Sequence, residues 1–118
     1  MVLIDTSRWI DHLSRKDPVV VSLLEHGQVL SHPFVIGELA LVNLEPRSRI
    51  LQLLAELPQA VTAEVAEVMN LINRFRLFGR GIGYVDAALL ASARLTPGAS
   101  LMTRNRRLQA LAAELNIG

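Results

Sequence analysis

The chain has 118 residues, with 12 Lys plus Arg against 11 Asp plus Glu, enough for one domain with a real core and too evenly charged to bind nucleic acid by bulk charge alone. It contains no cysteine, which excludes disulfides, zinc thiolate sites and thiol nucleophiles and fits a reducing compartment. Every apolar run is interrupted well short of the ~20 residues that span a bilayer, so a soluble cytoplasmic protein without a membrane partner is expected.

Val2 to Ser7 reads Val-Leu-Ile-Asp-Thr-Ser: a short apolar run suited to a strand buried on both faces, ending on a carboxylate and two hydroxyls. Asp5 therefore stands at a strand's carboxyl end, where open parallel sheets bind ligands. Thr6 or Ser7 can cap a short helix through Leu13, with Trp9, Ile10 and Leu13 on one apolar side. Asp17, Pro18 and Gly27 bracket a helix over Val19 to His26, and Gln28 to His32 reads as the second strand.

Pro33 opens a helix to about Leu44 that is apolar on nearly all sides apart from Glu38, and a further helix runs from Pro46 to Glu56. Gln59 to Thr62 reads as a brief strand. Thr62 then caps a longer helix with Val65, Val68, Ile72 and Phe75 as its core stripe. The glycine-rich stretch Phe78-Gly-Arg-Gly-Ile-Gly83 follows a helix and lacks a Gly-Lys-Ser/Thr ending, so it is not a phosphate loop. Tyr84 to Leu95 reads as an Ala/Leu helix holding Asp86, Ala99 to Thr103 as a strand, and the final helix starts at Arg104-Asn105. Short strands alternating with helices, without hairpin signals, argue a parallel sheet sandwiched by helices.

Three acids resist a surface explanation: Asp5 closes the apolar strand, Glu38 lies inside an apolar helix, and Asp86 lies in the first turn of an Ala/Leu helix. A buried carboxylate without a partner costs several kcal/mol. Arginines, which make up all the cations except Lys16, could neutralise the three one by one. The alternative is convergence on a hard divalent cation such as Mg2+, which takes carboxylate oxygens and keeps several waters. Asp5 as a helix cap, Asp86 as a first-turn acid and Asn105 as an N-cap remain simpler readings of each residue. His12, His26 and His32 are scattered along the chain and read as structural or surface residues.

The strand ending Ile-Asp-Thr-Ser, the helix carrying Gly-Glu-Leu, the Gly-Ile-Gly-Tyr-Val-Asp-Ala segment and the late Leu-Met-Thr-Arg-Asn-Arg-Arg-Leu together resemble the PIN-domain ribonucleases, and among them the VapC toxins of bacterial type II toxin–antitoxin pairs. The resemblance covers the whole chain as a single PIN domain. It implies a three-layer α/β/α fold with a central four- to five-stranded parallel sheet and Mg2+- or Mn2+-dependent hydrolysis of RNA phosphodiester bonds. Asp5 and Asp86 would be the main metal ligands, with Glu38 completing the cluster, while Thr6 and Thr103 match supporting hydroxyl positions. Asn105 departs from the family, which usually has a fourth acid there. The change removes one negative charge and makes a one-metal mechanism the expectation.

RNA contacts are expected from Arg8, Arg104, Arg106 and Arg107 near the strand ends, with Arg74, Arg76 and Arg80 bordering the same face. The five aromatics fall mostly in core-like positions, so specificity should rest on the shape of a folded RNA such as a tRNA loop. The composition is 51% hydrophobic with a mean hydropathy of +0.34, more apolar than a lone small domain needs inside. The resemblance implies that a cognate VapB-type antitoxin covers the excess, in a groove around Trp9, Leu13, Val20, Leu23, Leu24, Leu51 and Leu54, and that the chain forms a homodimer or a larger toxin–antitoxin assembly. A non-catalytic PIN module that only binds RNA or protein is the alternative. A phosphoryl-accepting switch would also want a strand-end Asp, but Lys16 is badly placed to serve one.

Overall fold

A computed structural model describes all 118 residues. The sheet is parallel and three-stranded, in the order β2-β1-β3, with β1 (Val2–Ile4) central, β2 (Val29–Leu30) on one side and β3 (Ser100–Met102) on the other. The seven helices are α1 (Thr6–Arg15), α2 (Pro18–Glu25), α3 (Pro33–Ala40), α4 (Arg47–Glu56), α5 (Val65–Arg74), α6 (Tyr84–Leu95) and α7 (Arg106–Glu114). After β2 the chain passes back over β1 to place β3 on its far side. The crevice between the carboxyl ends of β1 and β3 is thus the topological switch point, where such sheets bind ligands.

The expected α/β class is correct, but the sheet has three strands, not four or five. Gln59 makes only an isolated parallel bridge to Ser31. Beyond it, the Val61 amide donates to Thr96 Oγ1 at 2.9 Å and the Ala63 amide to Ser92 Oγ at 3.0 Å. Ser92 on α6 and Thr96 at its C-cap take the amides that would extend a strand ladder and hold the segment out of the helix. Accordingly α5 starts at Val65 rather than at Thr62. Val65 is 69% exposed, and the buried stripe of α5 runs through Val68 and Leu71 instead.

Helix α3 also stops earlier than the apolar pattern suggests, at Ala40. The chain turns there so that Leu44 enters the core while Leu41 stays out, 90% exposed. The Leu41 amide bonds Glu38 O and the Val42 amide bonds Leu39 O, each at 3.1 Å, tightening the last turn into the stop. The buried apolar side chains form one continuous core in which Leu3, Ile4, Leu89, Leu90, Leu101 and Leu108 are fully enclosed. Helix α3 packs on α1 and α4, whereas α6 packs on α5 and β3.

Candidate active site

All three strands run the same way, so the residues after each meet on one edge: Asp5 after β1, Ser31 and His32 after β2, Thr103 after β3. The backbone at Asp5 is fixed by its amide donating to Met102 O at 3.0 Å. Its side chain is 5% exposed. Oδ1 accepts from Ser7 Oγ at 2.7 Å and, as the cap of α1, from the Arg8 amide at 3.1 Å, while Oδ2 accepts a short hydrogen bond from Thr103 Oγ1. Thr103 Oγ1 in turn accepts from the Asn105 amide at 3.0 Å, and Ser7 Oγ from the Arg104 amide at 3.1 Å. The start of α1 and the approach to α7 are thereby sewn together around one carboxylate.

Glu38, half-buried on α3, joins the same assembly, because Oε1 accepts a short hydrogen bond from Thr6 Oγ1. Thr6 and Thr103 thus donate hydrogen bonds to Glu38 and Asp5 respectively. Ser7 was missed by the sequence reading, which considered it only as an alternative cap. Its signal was the second hydroxyl after the carboxylate, which the first turn of α1 points back at Asp5. Asp86 is half-buried at the start of α6, and its Oδ2 accepts from the Gly83 amide at 3.0 Å. No hydrogen bond links it to Asp5 or Glu38. Asn105 caps α7, its Oδ1 accepting from the Arg107 and Leu108 amides at 3.0 and 3.2 Å.

The cap readings of Asp5 and Asn105 and the first-turn reading of Asp86 are thus all realised, whereas arginine neutralisation is not. The three ion pairs are Arg8–Asp17 at 2.7 Å, Arg80–Glu114 at 2.8 Å and a close Arg104–Asp11 pair. None includes Asp5, Glu38 or Asp86. Asp17 shows what a cation does nearby: the Arg8 guanidinium beside it holds its carboxyl below the usual value. Arg8 and Arg104 are thus committed to other acids, while Arg106 and Arg107 are exposed and enter no ion pair. The aromatics were misplaced by the sequence reading, since Phe34, Phe78 and Tyr84 are 39%, 63% and 45% exposed.

In donor chemistry these residues fit a hard divalent cation. Asp5 is a buried carboxylate held by hydroxyls and an amide with no cation beside it, and Glu38 Oε2 and Asp86 Oδ1 accept no hydrogen bond from the protein. Such oxygens suit Mg2+ or Mn2+. In the arrangement described, however, no three His, Asp or Glu side chains stand close enough to form a metal-binding group. Asp5 and Glu38 are connected through the adjacent residue Thr6, whose hydroxyl bonds Glu38.

Further along α1 lies an apolar cavity of about 270 Å³ lined by Trp9, His12, Leu13, Leu24, Ile50, Leu53, Leu54 and Leu57. Of the residues expected there, Trp9, Leu13, Leu24 and Leu54 line it. Val20 does not, being fully buried in the core, and Leu23 and Leu51 pack against the core instead. The walls come from α1, α2 and α4, and the sequence reading missed Ile50, Leu53 and Leu57 because α4 lays a different stripe over α1.

Comparison with known proteins agrees with this geometry. The PIN domain family model matches residues 2–114. Ribonuclease VapC32 of Mycobacterium tuberculosis, in strains CDC 1551 / Oshkosh and ATCC 25618 / H37Rv, is 47% identical over 117 residues, covering 99% of this chain and 94% of the relative. No helix is long and apolar enough to cross a membrane. With the strand-end carboxylate, the parallel sheet and both matches running through nearly its whole length, the chain belongs to the PIN-domain family, of the VapC type.

Proposed function

We propose that this protein is the toxin of a type II toxin–antitoxin pair and acts as a Mg2+- or Mn2+-dependent endoribonuclease on a structured RNA such as a tRNA. The observation that carries the reading is the buried, cation-free carboxylate of Asp5 at the sheet's switch point, tied to Glu38 through its neighbour Thr6. The likeness to a protein named as a ribonuclease supports it. Asp5 and Asp86 would hold the ion, with Glu38 completing the set. When bound, the ion supplies charge opposite a phosphate oxygen and lowers the pKa of a water.

The chain's own contribution is orientation. Ser7, Thr103 and the Arg8 amide fix the rotamer of Asp5, and Thr6 fixes that of Glu38. Asn105, spent on capping α7, brings an amide where the family has an acid, so the site carries one charge fewer and favours a single ion. Arg106 and Arg107 are the first cations available to RNA phosphates, because Arg8 and Arg104 must first leave Asp17 and Asp11. The exposed rings of Phe78 and Tyr84 offer base-stacking surfaces on the loop before α6 and at the start of α6, the helix that carries Asp86. A cognate VapB-type antitoxin would lay an apolar segment into the cavity between α1, α2 and α4, and the active species would be a homodimer.

A second reading, a catalytically weakened PIN module acting by RNA or protein binding, is favoured by one observation: no group of three acids is closed. Antitoxin-free protein incubated with total tRNA, with Mg2+ or Mn2+ and with EDTA, separates the two. Cutting that needs metal and vanishes in Asp5→Asn and Asp86→Asn supports the nuclease. RNA binding without cutting, by folded protein, supports the module.

A further inference from the structure

Apart from Ser31, the buried polar side chains are Asp5 and Thr103 of the site and a second pair, His32 and Ser92, both 0% exposed. His32 caps α3: its Nδ1 accepts from the Phe34 amide at 3.0 Å. An accepting Nδ1 carries no proton, so the ring proton lies on Nε2, which donates to Ser92 Oγ at 2.9 Å. Ser92 Oγ also accepts from the Ala63 amide at 3.0 Å. A cationic ring would turn an N–H against the Phe34 N–H and bring positive charge to a helix N-terminus, which disfavours it, and burial likewise pushes the His32 imidazole below its usual value.

This bond joins the cap of α3, the helix that carries Glu38, to α6, the helix that carries Asp86. Glu38 lies six residues after His32 on α3, and Asp86 lies six residues before Ser92 on α6, each an axial rise of about 9 Å. Helix α3 packs on α1 and α4, and α6 packs on α5 and β3. The His32–Ser92 bond is a direct, fully buried side-chain hydrogen bond between the cap of α3 and α6, while Thr103 and Arg104 link the end of β3 to α1 at the site itself.

We infer that His32 and Ser92 are a positioning pair: the neutral imidazole bonded to the Ser92 hydroxyl sets the separation of Glu38 and Asp86, and so sets the affinity of the acid set for a divalent cation. This rests on reading Asp5, Glu38 and Asp86 as that set. The pair touches neither the ion nor the RNA.

The test is Mn2+ affinity, measured calorimetrically on the full-length, RNA-free protein. Ser92→Ala removes the acceptor of the His32 proton and is expected to weaken Mn2+ binding by about tenfold, the effect of losing a group that orients metal ligands. Ser92→Thr keeps the hydroxyl and is expected to restore affinity even where its extra methyl lowers the melting temperature. Val20→Ala, a core substitution on α2, serves as the destabilised control and is expected to leave affinity unchanged. Equal Mn2+ affinity in wild type and Ser92→Ala overturns the positioning role while leaving the acid-set reading intact. An equal loss in Val20→Ala also overturns it, since the effect would then follow stability. A wild type that binds no Mn2+ overturns the acid-set reading, and the positioning role falls with it.

Discussion

Replacing Thr103 by Val tests the network around Asp5 at its most exacting contact. Valine keeps the β-branched shape of a residue that is 6% exposed but removes the hydroxyl that donates to Asp5 Oδ2 and accepts from the Asn105 amide. A hydrogen bond to a charged group contributes about 1.5–3 kcal/mol. The Asn105 amide lies beside an exposed residue, so water replaces its lost partner at little cost, and the added methyl returns part of the loss through burial. The net destabilisation is about 2 kcal/mol. At about 2.1 cal/mol/K per residue, 118 residues give an unfolding entropy near 250 cal/mol/K, so the melting temperature should fall by about 8 °C. Thermal unfolding followed by circular dichroism in metal-free buffer reads it directly, with Thr103→Ser falling less because it keeps the hydroxyl. A drop under about 2 °C in Thr103→Val, within the range of an ordinary surface change, would refute the view that this hydroxyl holds a buried, charged Asp5.

Other perturbations probe separate parts of the structure. The depressed pKa of buried His32 means that the unfolded chain takes up the proton first as pH falls below about 6.5. Its stabilising contribution is thus complete above that value and is lost on acidification, with a limiting slope of about 1.4 kcal/mol per pH unit; urea midpoints from pH 7 to 5 should show this slope in wild type and a shallower one in His32→Asn. Gly81→Ala places a side chain at φ +80° and its Cβ against the Arg107 guanidinium, so a loss of about 1–2 kcal/mol and a displaced Arg107 are expected from denaturant unfolding and a structure of the variant. Leu53 lines the α1–α2–α4 cavity yet is 48% exposed. Leu53→Asp should therefore change stability by less than about 0.5 kcal/mol while abolishing capture by the cognate antitoxin in a binding titration.

The sequence carried most of the fold because local signals and tertiary packing agree there. Asp17-Pro18 does start α2, with Asp17 Oδ1 accepting from the Val19 amide at 2.9 Å, and α6 has the expected bounds of Tyr84–Leu95. What it could not carry were contacts made at long range. The lost fourth strand and the late start of α5 both follow from Ser92 on α6 and Thr96 at its C-cap capturing backbone amides some thirty residues earlier, which no local pattern encodes. The same holds within the site. Asp5 and Glu38 stood out as acids in apolar surroundings, but that Thr103 and Ser7 hold Asp5, and that Arg8 turns away to Asp17, depends on partners brought together only by the sheet. Val20 looked like a groove residue because α2 is apolar on several sides, and periodicity cannot tell which side faces the core.

The central claim is that Asp5, with Glu38 and Asp86, forms a divalent-cation site. The most direct measurement is a Mn2+ titration of RNA-free, antitoxin-free protein, comparing wild type with Asp5→Asn and Asp86→Asn and checking by circular dichroism that all three are folded. Saturable binding by wild type that is lost in both variants is expected. A folded wild type that takes up no Mn2+, or an Asp5→Asn variant that binds it as well as wild type, would contradict the account.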